Sequence, residues 1–284
     1  MANETTTTTL TEIVNSEAIE VEIMDYAKDE IVIAPWCRTA DLRGRGTLTT
    51  AWPRWDKDAG SDITQGTALT NQTMDLSEVT TTAAGVGVLR EILLTAEEST
   101  IAGVDLRQYA IEDGSYLVVE MLEDDLAGVF SSATGATVGQ AGFDFSLAQF
   151  VEAIAKMRTA KARGQYVMVL DDQASADLSG SVATTGAAVL GGGNIDQSIM
   201  NARNDGYMGS LMNVPIAVTN LTDTANGGAD VVSCIFVNGN RAMGGNPKNA
   251  GIGYNFGRLP TVKEREEPSH PSRILSVSMT YGAS

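Results

Sequence analysis

The chain has 284 residues and a mass of 29.9 kDa, too long for a disulfide-stapled miniprotein and sufficient for one large core or two interlocked ones. With 43% hydrophobic and 19% charged residues it is not a disordered chain. Lys+Arg 19 against Asp+Glu 36 gives a net charge of -17, which argues against a nucleic-acid clamp or a protein that rides on anionic lipid.

Residues 1–30 read as an N-terminal arm. A threonine run, Thr5 to Thr9, gives way to Ile13, Val14, Ala18, Ile19, Val21 and Ile23 interleaved with Glu12, Glu17, Glu20 and Glu22. Such an acidic, weakly amphipathic segment is expected either to order against a partner surface or to fray around one short helix. It has no basic n-region followed by an apolar core, so no signal peptide is expected. Ile31 to Trp36 reads as a short strand closed by Pro35, with Trp36 in the core.

From Asp41 to Ser77 the sequence loses core character. Thr47 to Trp52 and Gln72 to Thr82 are rich in β-formers and flank a polar, glycine-bearing stretch, which predicts a long extended hairpin. A hairpin with so few apolar residues is not stable alone and is expected to lie on a neighbouring subunit. Gly85 to Leu94 is a buried strand-like run. The pattern from Val104 to Phe130 predicts a long helix with Leu106, Tyr109, Ala110, Leu117, Met121, Leu122, Leu126 and Val129 near one face, and a possible kink at Gly114. The acidic cluster Glu123, Asp124 and Asp125 reads as a solvated face or a partner for cations from elsewhere.

Ser131 to Gly142 is a Ser/Thr/Gly linker and the expected boundary between two lobes. A second helix starts near Ser146, with Lys156, Arg158, Lys161 and Arg163 in its last turns and Gly164 as its cap. Tyr166 to Leu170 is a buried strand. Ala174 to Gly209 holds a short helix and then Gly191-Gly192-Gly193, which lacks the spacing of a phosphate-binding loop. Asn213 to Thr219 and Val232 to Val237 are two more strands, and Leu259 to Tyr281 reads as paired strands.

Chemistry-bearing residues are sparse. His270 is the one histidine, and Cys37 and Cys234 lie far apart, so triads, histidine metal sites and disulfide frameworks lack their parts. The cysteine usage fits a reducing compartment, and no apolar stretch approaches the length needed to span a membrane. Asp171 and Asp172 at a strand end are the one candidate acid pair for a metal-dependent enzyme of the mixed α/β class.

The order of these parts resembles the major capsid proteins of tailed bacteriophages, the HK97-like group. The resemblance covers essentially the whole chain and implies an α+β capsid fold: an N-terminal arm at 1–30, a peripheral domain with a long spine helix at 31–40 and 79–133, an extended hairpin or E-loop at 41–78, an axial domain at 134–230, and return strands of the peripheral domain at 231–284. It implies a shell of pentamers and hexamers enclosing double-stranded DNA in a virion assembled in the host bacterial cytoplasm. It also implies no enzymatic activity, no cofactor and no metal. A separate scaffolding protein, a portal protein, a decoration protein and weak non-specific contact with packaged DNA are the partners it implies. An encapsulin-like nanocompartment shell is similar to the same group and is the alternative. Within this frame Trp52, Trp55, Arg43, Arg45 and Arg54 are the candidate intersubunit contacts, with the acidic runs at 123–125 and 264–267 as candidate partners of the arginines. Gly186, Gly191, Gly192 and Gly193 are the candidate axial loop, where one sequence must fit two symmetries.

Overall fold

The structure is a computed structural model that describes residues 31–55, 76–93, 106–132, 137–139, 144–182, 207–221, 224–225, 230–267 and 272–284. The arm 1–30, the hairpin tip with Lys57, the glycines of the candidate axial loop and His270 all lie outside the described residues.

The first layer is a sheet built largely from the C-terminal third of the chain. Strands β1 (Arg38–Asp41), β2 (Thr49–Trp55), β3 (Leu76–Thr82) and β4 (Ala84–Leu93) are followed by the 27-residue helix α1 (Leu106–Ser132). The long strands β11 (Gly253–Glu267) and β12 (Ser272–Ala283) close the chain. They pair antiparallel, β4 adds to the free side of β12, and β1 runs parallel to β11, giving the order β1-β11-β12-β4. Alternation along β12 buries Leu275, Val277, Met279 and Tyr281 on the face covered by α1.

Gly114 does not break α1. A Cβ there would sit 2.8 Å from Val277 Cγ2, so the glycine is what lets helix and sheet approach. The helix buries a stripe through Ile111, Ser115, Val118, Leu122, Leu126 and Phe130. The expected face is corrected in part: Ala110, Leu122 and Leu126 are buried, but Tyr109 is 66% exposed and Met121 39% exposed, because the buried stripe runs through Ile111, Val118 and Phe130 instead.

The second layer holds α2 (Leu147–Thr159), β5 (Tyr166–Leu170), α3 (Asp172–Ser181), β6 (Tyr207–Leu211), β7 (Val214–Val218) and β10 (Cys234–Val237), with β8 (Thr224–Ala225) and β9 (Asp230–Val231) as a small separate ladder. The sheet order is β10-β5-β7-β6, with β5 and β7 parallel and the other pairs antiparallel. Its central strand β5 is apolar throughout because both faces are covered. Met168 and Leu170 pack on Phe150, Ile154 and Leu178 of the two helices, whereas Val167 and Val169 face the core that also holds Val118, Leu126, Phe236 and Val277. Phe130 of α1 and Phe236 of β10 meet across that core with ring centroids 6.3 Å apart.

Several local expectations are corrected. The return strand expected at 231–237 joins β5 in the second sheet rather than the C-terminal hairpin. Ile31 to Trp36 is not a strand: Ala34–Trp36 forms a single 3-10 turn, with Pro35 inside its first two positions where no N–H is needed. Trp36 is half-buried against the first core. Helix α2 begins as expected, with a reciprocal capping box between Ser146 and Gln149, but ends at Thr159. Lys161 then takes φ 55, and Gly164, at φ 143 and beneath Val237, serves the turn into β5 rather than the helix cap.

Candidate assembly interface

The hairpin β2–β3 pairs antiparallel from Thr49 opposite Thr82 to Trp55 opposite Leu76, and its base is fastened to the first sheet by a polar cluster. Trp52 donates its indole N–H to Thr81 Oγ1 at 2.7 Å. Thr81 is buried and its hydroxyl in turn meets that of Ser284 at the end of the chain. Asn255, fully buried on β11, donates through Nδ2 to Thr50 Oγ1 at 3.0 Å and to the Thr81 carbonyl at 2.9 Å. Its Oδ1 has no hydrogen-bond partner among the described residues. Gly282 lies against this cluster so closely that a Cβ would be 2.4 Å from the Thr82 carbonyl oxygen.

The candidate contact residues fall around this base. Trp52 lies under Arg38, whose guanidinium carbon is 4.6 Å from the ring centroid, so this tryptophan is half-buried within its own subunit. Arg43 is engaged by its own neighbour: Nε and Nη2 donate to Asp41 at 2.8 to 3.2 Å, and the guanidinium carbon lies 5.5 Å from the Phe256 ring centroid. The Arg43 hydrogen bonds hold the Asp41 carboxyl down at about 2. Arg45 is exposed on the adjoining turn. Arg54 and Trp55 lie on β2, opposite Ser77 and Leu76.

Three carboxylates of the acidic runs are engaged within their own subunit. Glu123, expected to be solvated or cation-paired, is 1% exposed and accepts the backbone N–H groups of Ile33 at 2.7 Å and Ala34 at 3.0 Å. Burial pushes its carboxyl above the usual range against the pull of those hydrogen bonds. Asp125 accepts the Tyr281 hydroxyl at 2.6 Å, and burial together with this bond raises the Tyr281 phenol. Glu264 pairs with Arg273 of the neighbouring strand at 2.8 Å. These carboxylates fasten the first layer to itself. Sequence reasoning missed Glu123; the signal available was its place one position after Leu122 and three before Leu126.

The candidate acid Asp171 takes a structural place. Asp171 is the N-cap of α3, accepting from Gln173 N–H at 3.0 Å, and among the described residues no group of three metal-binding side chains comes together. Burial raises the thiols of Cys37 and Cys234, the opposite of an activated nucleophile. No described helix is long and apolar enough to cross a membrane.

No family model and no curated protein sequence matches the chain. Solved structures do. The capsid of cyanophage Pam1 superposes with a TM-score of 0.61 at 14% identity over 89% of this chain and 88% of that one. The chain has the HK97-like capsid fold. Mycobacterium phage Che8 matches at TM-score 0.59 and 14% identity, covering 91% and 86% of the two chains. A virus-like particle from Pyrococcus furiosus matches at TM-score 0.59 and 12% identity over 95% and 94%. These neighbours are capsid and particle proteins by their own descriptions, and their likeness to this chain is one of fold.

Proposed function

We propose that the chain is a major capsid protein that assembles into pentamers and hexamers of an icosahedral phage head enclosing double-stranded DNA. The observation that carries this reading is the near end-to-end match to capsid chains, 89% of this chain against 88% of the Pam1 capsid chain. It is supported by a hairpin that buries little of itself: Ser77, Glu78, Val79 and Thr80 of β3 are all exposed. In this reading residues 31–40 and 79–133 form the peripheral domain, 41–78 the E-loop, and 134–230 the axial domain. The C-terminal strands then return to the peripheral domain. Trp52, Trp55, Arg45 and Arg54 line the hairpin's contact with the next subunit, and the glycines at 186 and 191–193 adapt the axial loop to five- and six-fold positions.

Assembly in the host cytoplasm with separate scaffolding, portal and decoration proteins completes the reading, and the protein is not an enzyme. A wall of net charge -17 holds DNA without gripping it. Filter binding of empty shells to duplex DNA at about 0.15 M salt is expected to be weak, and submicromolar, salt-sensitive affinity would contradict the passive wall.

A nanocompartment shell is the second reading, favoured by the 95% and 94% coverage against the Pyrococcus furiosus virus-like particle. The contents of purified particles separate the two: packaged DNA supports the phage head, and protein cargo supports the compartment.

A further inference from the structure

In a chain of net charge -17, the charged residues of the segments 158–163 and 241–248 are all cations. The last turn of α2 presents Arg158, the segment after it Lys161 and Arg163, and the loop after β10 Arg241 and Lys248; all five residues are exposed. The two segments are held side by side. Asn249 Nδ2 donates to the Arg163 carbonyl at 2.8 Å, Asn238 N–H donates to the Gln165 carbonyl at 2.8 Å, and Asn238 Nδ2 donates to Gln165 Oε1 at 3.1 Å. Neither segment supplies an acid: there is none between Glu152 and Asp171, and none between Asp230 and Glu264.

The same loop is bound to the root of the N-terminal arm. Asn240 Nδ2 donates to the Pro35 carbonyl at 2.6 Å, and Gly239 N–H to the Trp36 carbonyl at 2.9 Å. Arg241 therefore follows a residue bonded to Pro35, only five positions after Glu30. The segment leading to that point, Glu12 to Glu30, carries seven carboxylates against the one cation Lys28. An extended chain spans about 3.3 Å per residue, so the ten residues from Glu20 to Asp29 have a reach of about 33 Å. Tethering at Ile31 also gives the segment a local concentration on the order of millimolar.

We propose that the acidic segment Glu12–Glu30 docks on the basic surface formed by Arg158, Lys161, Arg163, Arg241 and Lys248 of its own subunit. The contact is a latch of charge, strong at low ionic strength and released by salt or by a competing polyanion. It does not depend on the shell reading, since it is a property of the single chain.

The test is hydrogen exchange of peptides from residues 12–30 in the full-length protein. At about 50 mM salt these peptides should be protected at least tenfold relative to the same protein at about 0.5 M salt, equally at low and high protein concentration. Combining Arg158→Glu, Arg241→Glu and Lys248→Glu should abolish the protection. Glu17→Lys, Glu20→Lys and Glu22→Lys together should do the same, and joining both sets should restore it, which a merely unfolded variant cannot do. Protection that rises with protein concentration would place the arm on a second copy and overturn own-chain docking. Peptides that exchange alike in all variants would overturn the latch. So would a patch variant that loses duplex DNA binding while the arm's exchange stays unchanged, since the surface would then serve nucleic acid.

Discussion

Glu123 Oε2, in the second half of the long helix, accepts the backbone N–H of Ile33 at 2.7 Å across ninety positions of sequence. Together with its other oxygen on Ala34 N–H, this carboxylate satisfies the amide groups that open the 3-10 turn and ties that turn to the long helix.

Glu123→Ala should cost about 3 kcal/mol, because it leaves buried N–H groups without an acceptor. The pH dependence has a definite sign. Burial raises the folded carboxyl above its ordinary value of 4.5, so the folded state binds a proton more readily than the unfolded chain. The stability tied to this group is fullest below 4.5 and is lost as pH rises through the folded value. Urea unfolding of wild type and Glu123→Gln from neutral pH down to about 4.5 should show the wild type gaining relative to the variant. A constant gap would contradict this.

Asn255 and Gly282 should be intolerant for different reasons. Asn255→Leu forfeits two hydrogen bonds and leaves the Thr81 carbonyl short of a donor, a loss of about 1 to 3 kcal/mol. Gly282→Ala forces a Cβ into the Thr82 backbone, with a cost of similar size, about 1 to 3 kcal/mol. Thermal unfolding checks both, and hydrogen exchange in β3 should rise more than exchange in β5, since the damage lies at the hairpin base.

The two layers also show what a sequence reading can reach. Tyr166–Leu170 was legible because five apolar residues stand between a glycine turn and Asp171, and the start of α2 because Ser146 and Gln149 spell a capping box. The hairpin strands were legible from their threonines and polar flanks. Ile31 to Trp36 misled because an apolar β-branched run ending at proline reads locally as a strand, while the acceptor that holds it as a turn comes from a distant helix. The placement of β10 beside β5 and the Trp52 contacts with Arg38 and Thr81 are likewise products of tertiary pairing.

Replacing Trp52 and Trp55 together by alanine should block assembly at a cost of about 2 kcal/mol or more per contact while the circular dichroism of the subunit is kept. Trp52 also packs on Arg38 and Thr81, so Trp52→Ala alone should lower the urea midpoint, and Trp52→Phe should lower it less. Normal particles from the double variant would remove these side chains from the interface.

Replacing Gly191, Gly192 and Gly193 with alanine should disturb capsomer formation without unfolding the subunit, since backbone freedom there is what the two symmetries demand. Native mass spectrometry of capsomers checks it, and unchanged pentamers and hexamers would leave the loop with no contact role.

The central claim is that this chain closes shells. Negative-stain electron microscopy, with light scattering, of the protein expressed with and without its neighbouring genes tests it most directly. The account predicts closed, uniform icosahedral particles when the scaffolding partner is present. A compact monomer that stays monomeric at high concentration with that partner would contradict it.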